Sequence, residues 1–429
     1  MKNNIYIKNR IKYLFMLFLA VSMYYGCGKD PAPVLYDEYK NNGTPDPVVT
    51  SITPKDYAFA GLDTVTISGS NFSDSAHTLV YFDNVEAPLI SVSPTQIKVK
   101  APNTPGDAIS IRVVVTTASA YAPPVSYGLR EIQKTFFGGL TFPDAASSIT
   151  FDKTGNLYFS MTVNGSYNGV MKIDANKAMT EYSPRKAGDK PWTALKFVYG
   201  PYGAAGQLIG AKNNLGLWQI NLGQLPTAAP WVLTDKKVND FDVDPDANIW
   251  AAGEGGIVYK IKSDKSLTKY TVGTASKINA VRVFKASDNT LYLYIGGTKD
   301  GKEGVWRYRI VNQEITPSSE ELYFDFAANY PGKYILGLTF SNDGEMYIGT
   351  DDASAIVTVD ASKNFKPFLP GVILPKFLSF VWDSYDKTNG LDLVYSRAAV
   401  AGEDAKNFNP KLLSAMTFKQ GAPYYGLEL

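Results

Sequence analysis

Short runs of alternating apolar and polar residues, separated by turn-forming residues, fill the chain from residue 49 to residue 128. Examples are Val65-Thr66-Ile67, Val80-Tyr81-Phe82 and Ile111-Arg112-Val113. Because successive side chains on a strand point to opposite faces, this period of two predicts strands with one buried face. About six such strands in roughly eighty residues, with Gly, Asn or Pro between them, predict a β-sandwich domain.

A longer repeat governs residues 129–429, where two apolar runs around a polar turn recur. The pattern is clearest at residues 149–159, 241–250 and 338–349, and weaker copies start near residues 194, 281 and 380. A third alternating run follows each copy. A unit of this kind, repeated at intervals of about 40 to 57 residues, is typical of the four-stranded blade of a β-propeller. The sequence therefore predicts an all-β chain: an immunoglobulin-like sandwich at residues 49–128 and a six-bladed propeller at residues 129–429.

Each predicted blade has an equivalent point in its first strand. These points are Phe151, Phe197, Val243, Val283, Phe340 and Trp382. The aspartates of the clear copies, Asp152, Asp244 and Asp343, are expected to hold the hairpin turns as hydrogen-bond acceptors. One blade needs a strand from a distant part of the chain, since a ring has no free edge. Either residues 134–137 or the last residues of the chain could supply it.

Composition supports this class and narrows the partners. Among 429 residues there are 28 Tyr, 22 Phe, 36 Gly and 25 Pro, a balance that favours strands and tight turns. The 42 Lys and Arg nearly equal the 41 Asp and Glu, so the chain lacks the basic surplus expected of a nucleic-acid-binding protein. A single cysteine, Cys27, cannot form an internal disulfide. We expect a fold held by packing and no nucleic-acid partner.

The first 48 residues have the features of an export signal and a stalk. Basic residues precede an uncharged apolar run at residues 13–26, which predicts a signal peptide over residues 1–26. Its end, Tyr24-Tyr25-Gly26-Cys27, resembles the lipobox of bacterial lipoproteins, which implies lipidation of Cys27. The following Gly28-Lys29-Asp30 is similar to the tracts that direct lipoproteins of the Bacteroidetes to the outer face of the outer membrane. Residues 27–48, rich in Pro, Asn and Gly, are expected to form a flexible stalk.

Two further family resemblances rest on residue order. The series Ile52-x-Pro54, Val65-Thr66-Ile67-x-Gly69-x-Asn71-Phe72 and Ser93-x-Thr95-Gln96-Ile97 resembles an IPT/TIG domain, which implies a spacer or adhesion module without catalysis. Residues 151–158, with the order apolar-Asp-x-x-Gly-Asn-apolar-Tyr, are similar to the blades of NHL-repeat and gluconolactonase-like propellers. In the first domain, we expect Phe72 to turn into the core and His77, the only histidine, to lie on the surface.

The chain offers little catalytic chemistry. It contains no nucleophile elbow, phosphate-binding glycine loop or zinc motif, and residues 129–429 include neither histidine nor cysteine. The resemblance to gluconolactonase-like propellers leaves one enzymatic alternative, a calcium-dependent lactonase-like hydrolase. Its candidate oxygen ligands, at the starts of first strands, are Asn239, Asp240 and Asn279. Otherwise we expect no catalytic residue, no metal and no cofactor.

Ligand binding is the preferred interpretation. In a propeller, the loops that enter first strands and those that join second to third strands lie on one face. Candidate ligand-binding residues expected there are Trp192, Tyr202, Asp240, Glu254, Asn279, Tyr334, Asp351, Asp352 and Arg397. Aromatic faces stack on sugar rings, and carboxylates and amides bind hydroxyl groups. We therefore expect a non-catalytic lipoprotein of the outer membrane, exposed at the cell surface, that binds a polysaccharide or oligosaccharide.

A protein ligand is the main alternative. The combination of anchor, spacer and propeller resembles surface lipoproteins of glycan-harvesting Bacteroidetes, which implies an outer-membrane importer as a further partner. Under this alternative the protein serves adhesion or assembly, and the propeller binds a surface protein. The sequence leaves the glycan and the protein ligand both open.

Overall fold

The computed structural model describes residues 43–141, 144–186, 189–220, 228–383, 391–398 and 411–429. The expected signal peptide, the lipidation site Cys27 and most of the expected stalk lie outside these residues. The contacts divide the chain into two compact units, one ending at Gly128 and the other running from Leu129 to Leu429, with residues 58–63 and 103–107 grouped with the second. In the described ranges, no helix is long and apolar enough to cross a membrane.

The N-terminal unit is a sandwich of two antiparallel sheets. Its strands are β1 Val48–Thr53, β2 Tyr57–Phe59, β3 Thr64–Ser70, β4 Thr78–Phe82, β5 Val85–Glu86, β6 Leu89–Ser93, β7 Gln96–Lys100, β8 Gly106–Val115 and β9 Val125–Arg130. One sheet has the order β1-β3-β7-β6 and the other β2-β9-β8-β4-β5. Strand β8 buries Ile109, Ile111, Val113 and Val115, every second residue, so the alternation in the sequence is the packing surface.

The turn after β3 is built as the sequence predicts. A Cβ atom at Gly69 would lie 1.9 Å from the carbonyl oxygen of Val48, so only glycine fits there. Asn71 has a φ of 60°, and its amide donates to the Asp46 carbonyl at 2.9 Å. Phe72, 4% exposed, packs into the core. His77 lies on the surface, where its ring contacts Asp74 at 2.7 Å.

The C-terminal unit is a propeller of six four-stranded antiparallel sheets, one of which carries an extra short strand. Its first strand in the chain is β10 Gln133–Phe137. Blade 1 contains β11 Ala145–Phe151, β12 Leu157–Val163, β13 Ser166–Ile173 and β14 Met179–Ser183. Blade 2 contains β15 Ala194–Val198, β16 Gln207–Ala211, β17 Leu217–Ile220 and β18 Ala228–Val232. Blade 3 contains β19 Val238–Val243, β20 Ile249–Gly253, β21 Ile257–Ile261 and β22 Leu267–Thr271.

The remaining blades follow the same plan. Blade 4 contains β23 Ser276–Lys285, β24 Leu291–Lys299, β25 Lys302–Val311, the short β26 Glu314–Ile315 and β27 Glu321–Phe324. Blade 5 contains β28 Ile335–Phe340, β29 Met346–Thr350, β30 Ile356–Val359 and β31 Phe365–Pro367. Blade 6 contains β32 Phe377–Asp383, β33 Asp392–Arg397 and β34 Lys411–Met416. Short helices are α1 Phe326–Asn329 and α2 Tyr425–Glu428, with 3-10 turns at Gly200–Tyr202 and Pro317–Ser319.

Strand β10 closes the ring. The first strands contact one another in the order β11, β15, β19, β23, β28, β32 and back to β11. Strand β10 pairs antiparallel with β34 as the outer strand of blade 6, with Gln133 opposite Ala415. The Tyr395 hydroxyl donates to Gln133 Oε1 at 2.5 Å across the same sheet. Of the two ends that could supply this strand, the N-terminal end of the propeller does so.

Aspartate side chains accept hydrogen bonds in the three turns where the sequence predicts it. Asp152 accepts hydrogen bonds from the backbone amides of Thr154 and Asn156, both at 3.0 Å or less, and Asp244 accepts the amide of Asn248 at 2.8 Å. In blade 5 the equivalent position is Ser341, whose amide donates to the Glu345 carbonyl as Asp152 does to Asn156. Asp343 stands two residues later and, as expected, accepts a hydrogen bond within the turn, from the Ser341 hydroxyl at 2.5 Å. It also accepts from Lys419 at 2.6 Å.

Candidate functional site

The first strands of the six blades surround a cavity of about 420 Å³ in the central channel. Each first strand lines this cavity with the residue immediately before the equivalent point of its repeat. These six residues are Thr150, Lys196, Asp242, Arg282, Thr339 and Val381. Blades 2 to 4 thus supply charged side chains, whereas blades 5, 6 and 1 supply uncharged ones. The channel is polar on one side and mainly apolar on the other.

Aromatic rings form much of the uncharged side. Phe340 of blade 5 stacks on Phe284 of the neighbouring blade 4, with ring centroids 4.5 Å apart and planes at 6°. Trp382 also lines the cavity, and its indole nitrogen donates to the Thr339 hydroxyl at 3.1 Å. Phe151 completes this side. Flat rings beside a polar wall suit a ligand that has one apolar and one hydroxyl-rich or charged face.

The charged side is centred on Lys196. Its ammonium lies 3.1 Å from Asp242 Oδ1 and 3.6 Å from Asp240 Oδ1. The Lys196 and Asp242 side chains are only 8% and 4% exposed, so this is a buried ion pair. Burial, together with the nearby positive charge of Arg282, lowers the pKa of Lys196, and the two carboxylates oppose that change. Such a group of charges is stable only while its members are paired.

Backbone amides of the next blade hold the two carboxylates. Asp240 Oδ2 accepts from the Val281 amide at 2.7 Å, and Asp242 Oδ2 accepts from the Val283 amide at 2.8 Å. Since Asp240 and Asp242 are two residues apart on β19, they point to the same side of the strand. Blade 3 is thereby joined to blade 4 at the level of the cavity, and the carboxylates are fixed in place.

The last residues of the chain line part of the cavity where the first strands end. The Ala422 amide donates to the Phe340 carbonyl at 2.9 Å, and the Tyr424 hydroxyl donates to the Phe197 carbonyl at 2.9 Å. Burial raises the pKa of Tyr424 well above its ordinary value, so its hydroxyl remains a donor. A Cβ atom at Gly421 would lie 2.2 Å from Trp382 Cγ, so the segment fits only with glycine there. The channel therefore meets the chain's own backbone at this end.

A smaller cavity, of about 60 Å³, lies where the first strands begin. It is lined by Asp240 and Asn279, two of the residues singled out from the sequence, and by Ser379 of blade 6. Lys196 and Arg282 line both cavities and so lie between them. The channel thus has a charged level in its interior.

Asparagines at this end link adjacent blades. Asn239 Nδ2 donates to the Ile278 carbonyl at 2.9 Å, and Asn279 Nδ2 donates to the Ile335 carbonyl at 2.9 Å. Both asparagines stand at bulges, where the first strand shifts register against the second. A bulge turns a side chain out of the ladder, which lets it reach the next blade. Their amides act as structural contacts between blades.

The residues considered for calcium do not fit that ion. Asn239 and Asn279 direct their amide nitrogens into the contacts between blades, and the Lys196 ammonium already lies beside Asp240. The buried Oδ1 of Asn239 has no partner among the described residues. Calcium, however, takes about six to eight oxygen ligands, and this is a single one. Within the described ranges, no three His, Cys, Asp or Glu side chains group to hold a metal.

Several other residues proposed from the sequence lie on the rim. Tyr334 is 52% exposed, and its amide donates to Asp351 at 2.7 Å. Asp352, next to it, pairs with Lys333 at 3.1 Å. Glu254, in the connection between β20 and β21, lies 3.3 Å from Lys237. None of them lines either cavity.

Three of the proposed residues do not present their side chains as expected. Trp192 is buried and lines neither cavity, and its indole donates to the Tyr167 hydroxyl at 2.8 Å, so it packs inside the propeller. Arg397 is buried at the end of β33. Tyr202 lies between the first and second strands of blade 2, at the opposite end of the blades from the loops with which it was grouped, and donates to the Ala247 carbonyl at 2.6 Å.

The channel residues that sequence reasoning missed are Lys196, Asp242 and Arg282. Each interrupts an apolar strand: Ala194-Leu195-Lys196-Phe197, Phe241-Asp242-Val243 and Val281-Arg282-Val283. A charge in a strand buried on both faces is rare unless it is paired. That interruption, at the same place in successive repeats, was the available signal.

Comparison with known proteins agrees with this architecture. The family model of the IPT/TIG domain matches residues 47–127, so the N-terminal sandwich is an IPT/TIG domain, as the residue order indicated. A search of curated protein sequences returned no match. A solved protein from Bacteroides thetaiotaomicron VPI-5482, provisionally assigned as a phosphatase, is 12% identical, with 89% of this chain and 98% of that chain covered and a TM-score of 0.54.

Two further structures are more distant in TM-score. Luciferin-regenerating enzyme is 16% identical, with 68% of this chain and 98% of that chain covered and a TM-score of 0.49. An auxiliary nutrient binding protein from Bacteroides ovatus ATCC 8483 is 11% identical, with 87% and 98% covered and a TM-score of 0.43. At these identities the similarity to the Bacteroides thetaiotaomicron protein establishes the fold alone. The chain is an IPT/TIG domain followed by a β-propeller.

Proposed function

We propose that this chain is a non-catalytic, lipid-anchored protein of the outer membrane whose propeller binds a glycan in its central channel at the cell surface. The observation that carries the proposal is the channel cavity of about 420 Å³, with Phe340 and Trp382 of blades 5 and 6 on one side and Lys196, Asp242 and Arg282 of blades 2 to 4 on the other. Ligand sites are commonly concave and largely apolar, with a few fixed polar groups.

The division of the cavity supports a sugar as ligand. A pyranose has a C–H face that packs on an aromatic ring and hydroxyl edges that exchange hydrogen bonds with charged side chains. The channel supplies both within one cavity, and its carboxylate, Asp242, is held by a backbone amide before any ligand arrives. A fixed site avoids the cost of ordering side chains on binding.

The anchor and the IPT/TIG domain complete the proposal. Lipidation of Cys27 would tether the chain, residues 27–48 would act as a stalk, and the IPT/TIG domain would serve as a spacer. Incorporation of radiolabelled palmitate into the wild-type chain, and its loss in Cys27→Ala, tests the anchor. Palmitate-free wild-type protein, or membrane association unchanged in Cys27→Ala, contradicts it.

Glycan binding is tested by electrophoresis in native gels cast with plant, algal and host polysaccharides. The protein used is the full chain carrying Cys27→Ala, which prevents attachment of the lipid. We expect one glycan to slow migration, Trp382→Phe to weaken the effect, and the exposed-rim variant Tyr334→Ala to leave it unchanged. Binding lost in Tyr334→Ala but kept in Trp382→Phe would move the site from the channel to the rim.

A protein ligand remains the second candidate, and one observation favours it. Leu233 and Leu215 are 67% and 46% exposed, and they lie close together, since a Cβ atom at Gly216 would stand 3.0 Å from the Leu233 Cα. Adjacent exposed leucines are typical of protein contact surfaces. This candidate would be established if a surface protein, for example an importer subunit, co-purifies with the chain and Leu233→Asp abolishes that co-purification. The chain should then also show no retention by any glycan.

A further inference from the structure

Arg282 is the charged residue of the channel whose donors are least used. Its Nη1 lies 3.7 Å from Asp242 Oδ1, beyond hydrogen-bond distance, and 3.4 Å from the carbonyl of its own neighbour Val281. The side chain is 20% exposed and lines both cavities. A guanidinium has five N–H donors, so most of those of Arg282 face the channel without a close acceptor among the described residues.

The neighbouring carboxylates make their short contacts with groups other than Arg282. Asp240 and Asp242 each accept a backbone amide of blade 4 through one oxygen. Their other oxygens face Lys196, at 3.6 Å and 3.1 Å. Lys196 is therefore the cation nearest to both carboxylates, and Arg282 has only the longer contact with Asp242.

A second arginine shows what full pairing looks like in this protein. On β25 of the same blade, Arg307 donates to Glu321 through Nε at 2.8 Å and Nη2 at 2.7 Å. Its guanidinium also lies 4.2 Å from the ring centroid of Tyr292 and 4.8 Å from that of Tyr323. Arg307 is thus a structural arginine with a dedicated acceptor, which Arg282 lacks.

Two cations near one another in a partly buried channel are costly unless anions accompany them. Arg282 contributes to lowering the pKa of Lys196, which is the electrostatic sign of that crowding. Asp240 and Asp242 balance the charges of Lys196 and Arg282, but they leave most of the guanidinium donors without a close acceptor. A ligand group that accepts hydrogen bonds and carries negative charge would bind those donors. The planar, forked guanidinium matches a carboxylate in particular.

We propose that Arg282 binds a carboxylate of the ligand, so that the channel selects acidic glycans, those that contain uronic acids. The inference rests on the proposed glycan-binding function and specifies its ligand class. The carboxylate meets the guanidinium between the two cavities, and the sugar ring to which it is attached lies toward Phe340 and Trp382.

The test compares acidic polysaccharides with their carboxyl-reduced forms, in which each uronate has become the corresponding neutral sugar. Polygalacturonate, alginate and hyaluronan are the probes, and the full chain with Cys27→Ala is the protein. We expect at least one acidic form to bind, and its reduced form to bind about ten- to hundredfold more weakly, as for loss of a charge-assisted hydrogen-bond pair. This comparison uses the wild-type channel and does not depend on any variant folding.

Variants then assign the effect to one residue. Arg282→Gln should lose the preference for the acidic form, and Arg282→Lys, which keeps the charge but not the fork, should retain part of it. Arg309→Gln is the matched control, because Arg309 lies on β25 of the same blade and is exposed. Its binding should equal that of the wild type.

The outcomes separate the two proposals. Equal affinity for acidic and reduced forms, or an unchanged preference in Arg282→Gln, would overturn the role of Arg282. A neutral glycan that binds in the channel while all acidic probes fail would leave the proposed function standing and refute the acidic selectivity. Absence of binding by acidic and neutral glycans alike would refute both.

Discussion

Replacing Asp242 with asparagine should destabilise the propeller far more than its near-identical shape suggests. Asparagine can still accept the Val283 amide, so the contact between blades 3 and 4 is kept. What is lost is the negative charge 3.1 Å from the Lys196 ammonium, on a side chain only 4% exposed. Lys196 and Arg282 would then face Asp240 alone.

The expected magnitude follows from burial. Removing one partner of a buried ion pair typically costs about 3–5 kcal/mol, because the other charge is left uncompensated. Asp240 remains to neutralise part of the charge, which places the expected loss near the lower end, about 3 kcal/mol. With a denaturant dependence of about 3 kcal/mol per M, the urea midpoint should fall by about 1 M.

Tryptophan fluorescence isolates the propeller in this assay. All six tryptophans lie between residues 192 and 382, so the IPT/TIG domain contributes none. Lys237→Met serves as control: it removes an ion pair with Glu254 at 3.3 Å whose side chains are 48% and 39% exposed, and it should cost less than about 1 kcal/mol.

A double variant tests the coupling. Adding Lys196→Met to Asp242→Asn removes one cation with the carboxylate and should recover at least half of the lost stability. The reasoning is refuted if Asp242→Asn costs no more than Lys237→Met, or if the double variant is as unstable as Asp242→Asn alone.

Two further predictions concern the cover of the channel and the acid stability of blade 3. Gly421→Ala should displace the last segment from Trp382, since the new Cβ would lie 2.2 Å from Cγ, and should speed its removal by carboxypeptidase; Gly138→Ala, with 3.7 Å of clearance, should not. Hydrogen bonding by Tyr259 lowers the pKa of Asp235 to about 2. The stability that this hydrogen bond contributes is therefore fully present above the ordinary pKa of an aspartate and is lost as the pH falls through about 2. Tyr259→Phe should therefore lower the urea midpoint more at pH 5 than at pH 2, and an equal difference at both would contradict this.

The sequence determined the fold class through features that act locally. Alternation of buried and exposed residues on β8, and the fixed turn of Gly69, Asn71 and Phe72, identify the first domain because each depends only on neighbouring residues. The repeat of apolar run, Asp turn and apolar run identified the blades for the same reason. The equivalent points Phe151 and Val243, among others, fall on the first strands as expected.

Tertiary structure alone decided the site. Lys196, Asp242 and Arg282 are about 40 to 46 residues apart along the chain and meet only because consecutive blades turn their first strands toward one axis. Loop position alone was a poor guide to the site, because it does not determine whether packing buries a side chain. Trp192, for example, is buried. Which end of the chain closes blade 6, and where the last segment lies, were also set by long-range pairing, which no local pattern encodes.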